Sequence, residues 1–334
     1  MKAYEIVSDG GIDALALTER PEPVPGPGQV LVRLRASSIN YRDLLNILDP
    51  PARGIAYPRI PNSDGAGEVA GLGPGVTRFQ VGDRVAGCFF QRWPAGGITQ
   101  EAMASALGGP VDGLLAEYAV LEEDGLVAIP DALSYEQAAT LPCAALTAWH
   151  ILVEMGRLRA GETVLILGTG GVSIFALQFA ALMGARCIVT SSSDDKLARA
   201  RELGAWRCVN YRTTPDWEQA VLEHSGGRGV DLAVEVGGAG TLEKSIQSVR
   251  VGGRIGLVGV LTGGLIDPTA VMRKSIRLQG IYVGSRVMFE RMNRAIEAGG
   301  LEPVIDSSFT FEEARAAYHH MQSGGHFGKI VIRV

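Results

Sequence analysis

A glycine-rich turn at residues 168–173, Gly-Thr-Gly-Gly-Val-Ser, has the residue types needed to hold a pyrophosphate. It directly follows a short apolar run at 163–167 and opens an apolar segment at 171–183 that is typical of a helix. Glycine at 168 permits a sharp turn, and glycine at 170 lets the backbone approach a phosphate closely. The phosphate charge would lie at the helix N-terminus, where free N–H groups point outward. Because it joins a strand to a helix, this turn predicts a dinucleotide site.

The end of the next strand, at 186–190, indicates which dinucleotide is bound. Folds that prefer NAD place Asp or Glu there to hold the ribose 2′-hydroxyl. Ser191 takes that place here, which leaves room for a 2′-phosphate, and Lys196 could pair with that phosphate. Asp194 and Asp195 are expected to cap the following helix, although either could turn toward a ribose. We therefore predict NADP(H) as the preferred cofactor and keep NAD(H) as the alternative.

Alternating strands and helices surround this turn from residue 161 onward. Continuous apolar strands separated by helices are typical of a parallel sheet covered on both faces, and six of them indicate a doubly wound α/β domain. The predicted strands are 163–167, 186–190, 207–210, 230–236, 254–258 and 277–283.

The first 125 residues are instead β-rich, with strand candidates at 30–35, 65–72 and 84–88. Helices predicted at 287–298 and 311–323 and a strand at 329–334 have no sheet of their own, so we expect them to return to the first domain. The predicted organisation is a β-rich domain formed by 1–125 and 286–334 around a dinucleotide-binding domain at 126–285.

One long connection, residues 89–113, is rich in glycine and proline and has a single short helix candidate at 99–107. A loop of this length in a compact domain is commonly functional, for example as a substrate lid. The alternative is that this loop has no such function and is either disordered or packed against the domain, which is called a packed excursion below.

Composition excludes several classes of protein. A chain of 334 residues exceeds what one core usually fills, and a net charge of −5 without a Lys/Arg run argues against nucleic acid as a partner. No apolar run approaches the length of a membrane span, and no secretion signal is recognisable. The four cysteines are far apart and form no C-x-x-C pair, which argues against a disulfide framework. We expect a cytoplasmic protein.

Seven segments spread over nearly the whole chain carry a family resemblance: 36–43, 60–69, 81–85, 141–149, 168–173, 209–212 and 328–331. With them the chain resembles the medium-chain dehydrogenase/reductase superfamily, and within it the zinc-independent quinone oxidoreductase-like branch. The resemblance implies a GroES-like catalytic domain, a Rossmann domain and a homodimer that pairs through the last Rossmann strand. It also implies that Lys196 and Tyr211 hold the 2′-phosphate. The predicted cofactor residues are Gly168, Thr169, Gly170, Gly171, Val172, Ser191, Lys196, Tyr211, Gly237, Val258 and Lys329.

Zinc-dependent members of this superfamily hold their catalytic metal with a cysteine, a histidine and a third ligand. The resemblance places Asn40 and Ser63 at the first two of these positions and leaves only Cys143 at the third. The four-cysteine lobe that holds a structural zinc is also absent. We therefore predict no metal, with Cys143 buried near the site. A site that combines Asp64 and Cys143 with further ligands is the alternative.

Without a metal, charge that develops on a substrate oxygen must be stabilised by hydrogen-bond donors, each worth about 3 kcal/mol when well placed. Quinones and α,β-unsaturated carbonyls delocalise this charge and need such help least. The predicted donors are the Asn40 amide and the Tyr41 hydroxyl, which could also supply a proton, with Thr147 close to the nicotinamide. Asp64 completes the predicted catalytic residues and is equally suited to orienting its neighbours.

The sequence therefore predicts an NADPH-dependent reductase that transfers hydride to quinones or α,β-unsaturated carbonyl compounds without a metal. An NAD(P)-dependent alcohol dehydrogenase of the same fold is one alternative. A protein that binds NADPH without turnover, as a redox sensor or a lens-type structural protein, is another.

Overall fold

A computed structural model describes residues 1–334, and they divide into two compact units. The first comprises Met1–Leu146 and Val283–Val334, and the second Thr147–Tyr282. The predicted domains, 1–125 with 286–334 and 126–285, differ from these units at both boundaries. Residues 126–146 lie in the first unit because strand Leu126–Ala128 pairs with Arg84–Gly87 of the first sheet.

The chain contains fifteen strands and eleven α-helices. The strands are β1 Lys2–Glu5, β2 Ala16–Glu19, β3 Gln29–Ile39, β4 Asp64–Leu72, β5 Arg84–Gly87, β6 Tyr118–Glu122, β7 Leu126–Ala128, β8 Thr163–Leu167, β9 Arg186–Ser191, β10 Arg207–Asn210, β11 Val230–Glu235, β12 Val249–Leu257, β13 Arg277–Gly280, β14 Ile305–Thr310 and β15 Lys329–Arg333. The helices are α1 Tyr41–Leu48, α2 Gln100–Met103, α3 Tyr135–Ala139, α4 Leu146–Trp149, α5 Gly171–Leu182, α6 Asp194–Glu202, α7 Trp217–His224, α8 Ala239–Ser248, α9 Thr269–Arg273, α10 Arg286–Gly299 and α11 Ala314–Ser323. None of these helices has both the length and the apolar character needed to cross a bilayer.

The first unit is built on a seven-stranded sheet in the order β14-β15-β3-β4-β5-β7, with β6 also paired to β3. Strand β15 pairs antiparallel with β3 on one side and parallel with β14 on the other. The segments after residue 285 therefore return to the first unit, as the sequence predicts. Ile39, Leu44, Tyr318 and Ile330 share one apolar core, which joins β3 and α1 to α11 and β15.

The second unit is a parallel sheet in the order β10-β9-β8-β11-β12-β13. Numbered within the unit this is 3-2-1-4-5-6, the strand order of a doubly wound dinucleotide fold. Every residue of β11 is buried, as expected for a strand covered on both faces. The α/β fold class and all six predicted strands are confirmed. In such sheets ligands bind at the carboxyl ends of the strands, where the strand order reverses.

Both ends of the long connection at 89–113 are packed into the first unit. Phe89, Phe90 and Leu107 are buried, and a β-bridge joins Phe90 to Ala106. Residues 94–101 between these ends are exposed. The helix expected at 99–107 is limited to α2, because residues after Met103 turn inward to the core. The ends of the connection are thus a packed excursion, and only its middle faces solvent.

Candidate active site

Asn40 connects the end of β3 to the start of α1. It is the N-cap residue of α1, and its backbone is extended. Its Oδ1 accepts a hydrogen bond from Lys329 Nζ at 2.5 Å, and its Nδ2 donates to Ser63 Oγ at 3.3 Å. The residue is 8% exposed. Its amide is therefore held at both ends by side chains of the first unit.

Lys329, the first residue of β15, contributes a buried ammonium to this group. Nζ donates to the Ile39 carbonyl at 2.8 Å and to Asn40, and it lies 3.7 Å from Asp64 Oδ2. The side chain is 3% exposed, and a cation at such a position requires paired acceptors, which these groups supply. The ammonium is thus directed to Asn40 and Asp64, and the predicted role of Lys329 in cofactor binding stays a prediction.

Asp64 begins β4 and is fully buried. Its Oδ1 accepts from Ser63 Oγ at 2.8 Å, and its Oδ2 accepts from the Cys143 backbone N–H at 3.2 Å. These contacts give its carboxylate an orienting role toward Ser63. Asn40, Ser63, Asp64 and Lys329 thus form one connected group, referred to below as the Asn40 cluster.

Cys143 borders the Asn40 cluster but is partly exposed, in contrast to the buried position predicted for it. Desolvation by the surrounding protein raises the pKa of its thiol above the ordinary value, and the nearby Asp64 carboxylate raises it further. In the protein alone, the sulfur therefore stays protonated at neutral pH.

The side chains of the Asn40 cluster do not fit a catalytic zinc. The three positions at which the resemblance places zinc ligands carry an amide, a hydroxyl and a single thiol, and an ammonium already bonds the amide oxygen. No group of three His, Cys, Asp or Glu side chains in the chain could hold a metal ion. Zinc prefers thiolate, imidazole and carboxylate donors, and the combination of Asp64 and Cys143 supplies too few of them.

A second carboxylate, that of Asp43, contacts the Asn40 cluster through the backbone of Asn40. Its Oδ2 accepts from the Asn40 backbone N–H at 2.9 Å, and Arg42 Nη1 lies 3.3 Å from its Oδ1. Burial raises the pKa of Asp43 to about 6, against the lowering effect of Arg42. Part of the Asp43 population is therefore protonated in mildly acidic solution.

The backbone just before and at Asp64 is held by three residues that sequence reasoning missed, Ser37, Asn62 and Tyr318. Asn62 has a φ of 67°, a left-handed conformation that is rare for residues other than glycine. Its side chain accepts from the Tyr318 hydroxyl and donates to Ser37 Oγ at 2.9 Å. Ser37 in turn donates to the Asp64 carbonyl at 2.8 Å. Tyr318 comes from α11, and a contact across that sequence distance leaves no local pattern.

Two other predicted catalytic residues lie outside the Asn40 cluster. Tyr41, the first residue of α1, is 40% exposed, and no hydrogen bond joins it to the cluster. Thr147 is buried in α4 and belongs to the second unit. Of the four predicted catalytic side chains, the structure thus connects Asn40 with Asp64 and leaves Tyr41 and Thr147 separate.

In the second unit, the glycine turn is shaped to receive an anion. Gly168 has a φ of 73°, which favours glycine, and Thr169 is buried beside it. Gly170 is the N-cap of α5 and provides no side-chain cap, so the N–H groups of the first turn, beginning at Gly171 and Val172, lack a capping side chain. Ser173 stands at the third glycine position, and its hydroxyl donates to the Leu167 carbonyl at 2.6 Å. These residues fit the pyrophosphate of a dinucleotide.

The residues predicted to bind the ribose and its 2′-phosphate lie at or after the carboxyl ends of β9 and β10. Ser191 ends β9 and is buried, and the Tyr211 backbone N–H donates to its carbonyl at 3.1 Å. Lys196 lies in the first turn of α6, whose N-cap is Ser193 rather than the expected Asp194 or Asp195. The Asp194 carboxylate instead accepts from Asn210 Nδ2 at 2.9 Å.

The loops after β11 and β12 are organised by Glu235, which sequence reasoning missed. Its buried carboxylate accepts from the backbone N–H groups of Gly237 at 2.7 Å and Gly238 at 3.1 Å. It also accepts from the hydroxyls of Thr241 and Ser245. The Glu235 carbonyl accepts from the Val258 N–H at 2.9 Å. One residue thus holds the two predicted cofactor positions Gly237 and Val258.

Comparison with known proteins agrees with this architecture. The alcohol dehydrogenase GroES-like domain model matches residues 26–131, and the zinc-binding dehydrogenase model matches residues 171–298. A zinc-type alcohol dehydrogenase-like protein of Schizosaccharomyces pombe is 41% identical over 333 residues, which cover 97% of this chain and 96% of that protein. A quinone oxidoreductase of Pseudomonas aeruginosa is 30% identical, with 99% of both chains covered.

Solved structures show the same fold over the full length. A Sinorhizobium meliloti protein assigned as an alcohol dehydrogenase has a TM-score of 0.92 and 42% identity, over 99% of this chain and 98% of its own. An NAD-dependent alcohol dehydrogenase has a TM-score of 0.91 and 34% identity, with all of both chains covered. A mycobacterial protein in complex with NADPH has a TM-score of 0.85 and 25% identity, again with all of both chains covered. The chain belongs to the medium-chain dehydrogenase/reductase superfamily, a family of oxidoreductases.

Proposed function

We propose that this protein is an NADPH-dependent reductase of quinones or α,β-unsaturated carbonyl compounds that works without a metal. The observation that carries the proposal is the Asn40 cluster, in which an amide anchored by a buried ammonium stands where zinc-dependent relatives hold their metal. Such a site offers a hydrogen-bond donor to a substrate oxygen in place of a Lewis acid.

The chemistry divides between the cofactor and the side chains. When bound, the nicotinamide supplies a hydride from its C4 carbon. Asn40 Nδ2 donates one N–H to Ser63, and its second N–H is available to a substrate oxygen as negative charge moves onto it. Tyr41, whose ring is exposed, can then deliver a proton to the same oxygen or pass one from solvent.

Cofactor preference is proposed from residues of this chain, since the relatives include both an NAD-dependent alcohol dehydrogenase and a protein in complex with NADPH. The end of β9 carries Ser191 in place of a carboxylate that would repel a 2′-phosphate. Lys196 at the start of α6 and Tyr211 after β10 lie on the two segments that flank this position. NADPH is therefore the proposed electron donor.

The proposal is tested by steady-state turnover with NADPH over quinones, enones, aldehydes and aliphatic alcohols, before and after prolonged treatment with 1,10-phenanthroline. We expect reduction of quinones or enones that is insensitive to the chelator. Turnover confined to unactivated alcohols and aldehydes would favour the alternative, an alcohol dehydrogenase, which the names of several relatives suggest. NADPH binding without any turnover would favour a sensor or a structural protein.

We also propose that the protein forms a homodimer through β13. This strand is at the edge of the six-stranded sheet, so its outer backbone groups are unpaired. Apolar side chains that precede it in the chain are exposed, notably Val260, Leu265 and Met272. Exposed apolar side chains in the segment before an open strand edge suit a second copy of the same chain, related by a two-fold axis. The cytoplasmic location expected from the sequence remains a prediction.

A further inference from the structure

We infer that Lys329 is a positioning residue, which fixes the orientation of the Asn40 amide so that Nδ2 and not Oδ1 meets the substrate oxygen. This inference rests on the proposed function and adds a residue to it. It also reassigns Lys329, since a lysine that positions the amide is not required to contact the cofactor.

The two ends of an asparagine amide have the same shape and opposite polarity. Packing alone cannot decide which end faces a substrate, so the decision must come from hydrogen bonds. Lys329 Nζ is a donor with no acceptor capacity, and at 2.5 Å it can only face Oδ1. A flipped amide would place its own N–H groups against the ammonium.

Ser63 fixes the same orientation from the opposite side of the amide. Ser63 Oγ donates its proton to Asp64 Oδ1 at 2.8 Å, which leaves its lone pairs for Asn40 Nδ2 at 3.3 Å. Asn40 therefore donates to Ser63, and Ser63 donates to the Asp64 carboxylate, which accepts. Because Asp64 also lies 3.7 Å from Lys329 Nζ, the two ends of the cluster are held by a buried ion pair.

The positive charge of Lys329 also affects the amide as a donor. The ammonium draws electron density toward Oδ1 and so strengthens the remaining N–H of Nδ2 as a donor, an effect that is larger in a buried, weakly screened setting. An oxygen that gains negative charge benefits more from this donor than a neutral carbonyl does. Lys329 should therefore contribute to kcat more than to substrate affinity.

The test compares Lys329→Met with the double variant Lys329→Met/Asp64→Asn, which avoids leaving a buried carboxylate unpaired. We expect kcat to fall roughly 10- to 100-fold in both, with the NADPH dissociation constant unchanged in a fluorescence titration. Asn40→Ala should cause a similar loss, and adding Lys329→Met to it should cause almost no further loss. Lys274→Met is the matched control, because Lys274 also donates to backbone carbonyls, those of Ile246 and Gln247, but lies in the second unit.

A second readout does not depend on turnover. The side-chain amide of Asn40 in a ¹H–¹⁵N spectrum, assigned by its loss in Asn40→Asp, should give one sharp pair of signals in the wild type. They should broaden or double in Lys329→Met/Asp64→Asn, because both amide orientations become populated. Unchanged signals, fully additive losses of kcat, or a weakened affinity for NADPH would each overturn the inference. A wild-type enzyme that reduces nothing on the panel would overturn the proposed function, while the spectrum would still decide the orientation of the amide.

Discussion

At the scale of single residues, the buried carboxylate of Asp43 links the Asn40 cluster to pH. It accepts the Asn40 backbone N–H and is fully enclosed, and burial raises its pKa from 3.8 to about 6. Folding therefore favours the protonated form of Asp43. The stability from this effect is fully present below the unfolded-state pKa and is lost as the pH rises through the folded-state pKa.

We predict that Asp43→Asn removes part of the pH dependence of stability. Because a shift from 3.8 to about 6 corresponds to about 3 kcal/mol, the wild type should lose up to this amount of unfolding free energy between pH 4 and pH 7. The variant cannot ionise at this position and should lose correspondingly less. Urea unfolding of both proteins at a series of pH values gives the difference in unfolding free energy between them. The contributions of the other titrating groups cancel in this difference. Parallel curves for the two proteins would contradict the prediction.

A second residue-scale prediction concerns the choice of dinucleotide. Ser191→Asp should lower the ratio of kcat/KM for NADPH over NADH by roughly 10- to 100-fold, because a carboxylate at the end of β9 repels the 2′-phosphate and accepts from a ribose hydroxyl. Lys196→Met should raise KM for NADPH and leave KM for NADH nearly unchanged. Arg201→Met, an exposed basic position in the last turn of the same helix, is the control and should alter neither. If the ratio of kcat/KM for NADPH over NADH is unchanged in Ser191→Asp, residue 191 does not determine the choice of dinucleotide.

The limits of sequence reasoning are clear at this scale. Asn40 and Asp64 could be selected because they lie in local motifs that resemble those of known relatives. The partnership of Lys329 with Asn40 could not, since the two residues are 289 positions apart and meet only through pairing of β15 with β3. Glu235 was missed for a different reason: a carboxylate at the end of a strand has no sequence mark that distinguishes a buried acceptor from a solvated one.

At the scale of secondary-structure elements, Glu235 accepts hydrogen bonds from two loops, those that follow β11 and β12. We predict that Glu235→Ala weakens NADPH binding about tenfold and lowers the unfolding free energy by on the order of 3 kcal/mol, because it leaves the N–H groups of Gly237 and Gly238 without their acceptor. A fluorescence titration and urea unfolding measure the two effects.

Ser245→Ala is the matched control for this prediction. Its hydroxyl donates to the same carboxylate from α8 and not from the loop. It should therefore reduce stability while the NADPH dissociation constant stays near the wild-type value. Equal effects of the two substitutions on binding would show that the loop does not depend on Glu235.

The elements themselves were predictable to different degrees. All six strands of the second unit were found, because strands buried on both faces leave continuous apolar runs. Strand β14 was missed, since only intermediate and exposed positions occur along it and no alternation results. Strand β7 has three residues, too few to establish a period. Local patterns therefore located the buried sheet well and the partly exposed sheet incompletely.

At the scale of the whole molecule, we predict that the protein migrates at twice the mass of one chain in size-exclusion chromatography with light scattering. Leu265→Lys/Met272→Lys should convert it to a single chain, because two charges would enter the apolar surface that precedes β13. Val24→Lys is the control, since Val24 is equally apolar and 86% exposed but lies in the first unit. A wild type that migrates as one chain, or a double variant that keeps the doubled mass, would contradict the dimer.

The pairing of β15 with β3 also has a consequence for biosynthesis. Residues 36–39 of β3 pair with residues 330–333 of β15. The ribosome therefore translates the entire second unit before β15 can join the first sheet beside β3. The parallel sheet is contiguous in the chain and can form while translation continues. The second unit is therefore able to fold first, and the ammonium that anchors Asn40 is added with the last strand to be made. If the proposed function holds, we expect a nascent chain stalled before residue 329 to bind dinucleotide through the second unit and to lack the ammonium that positions Asn40.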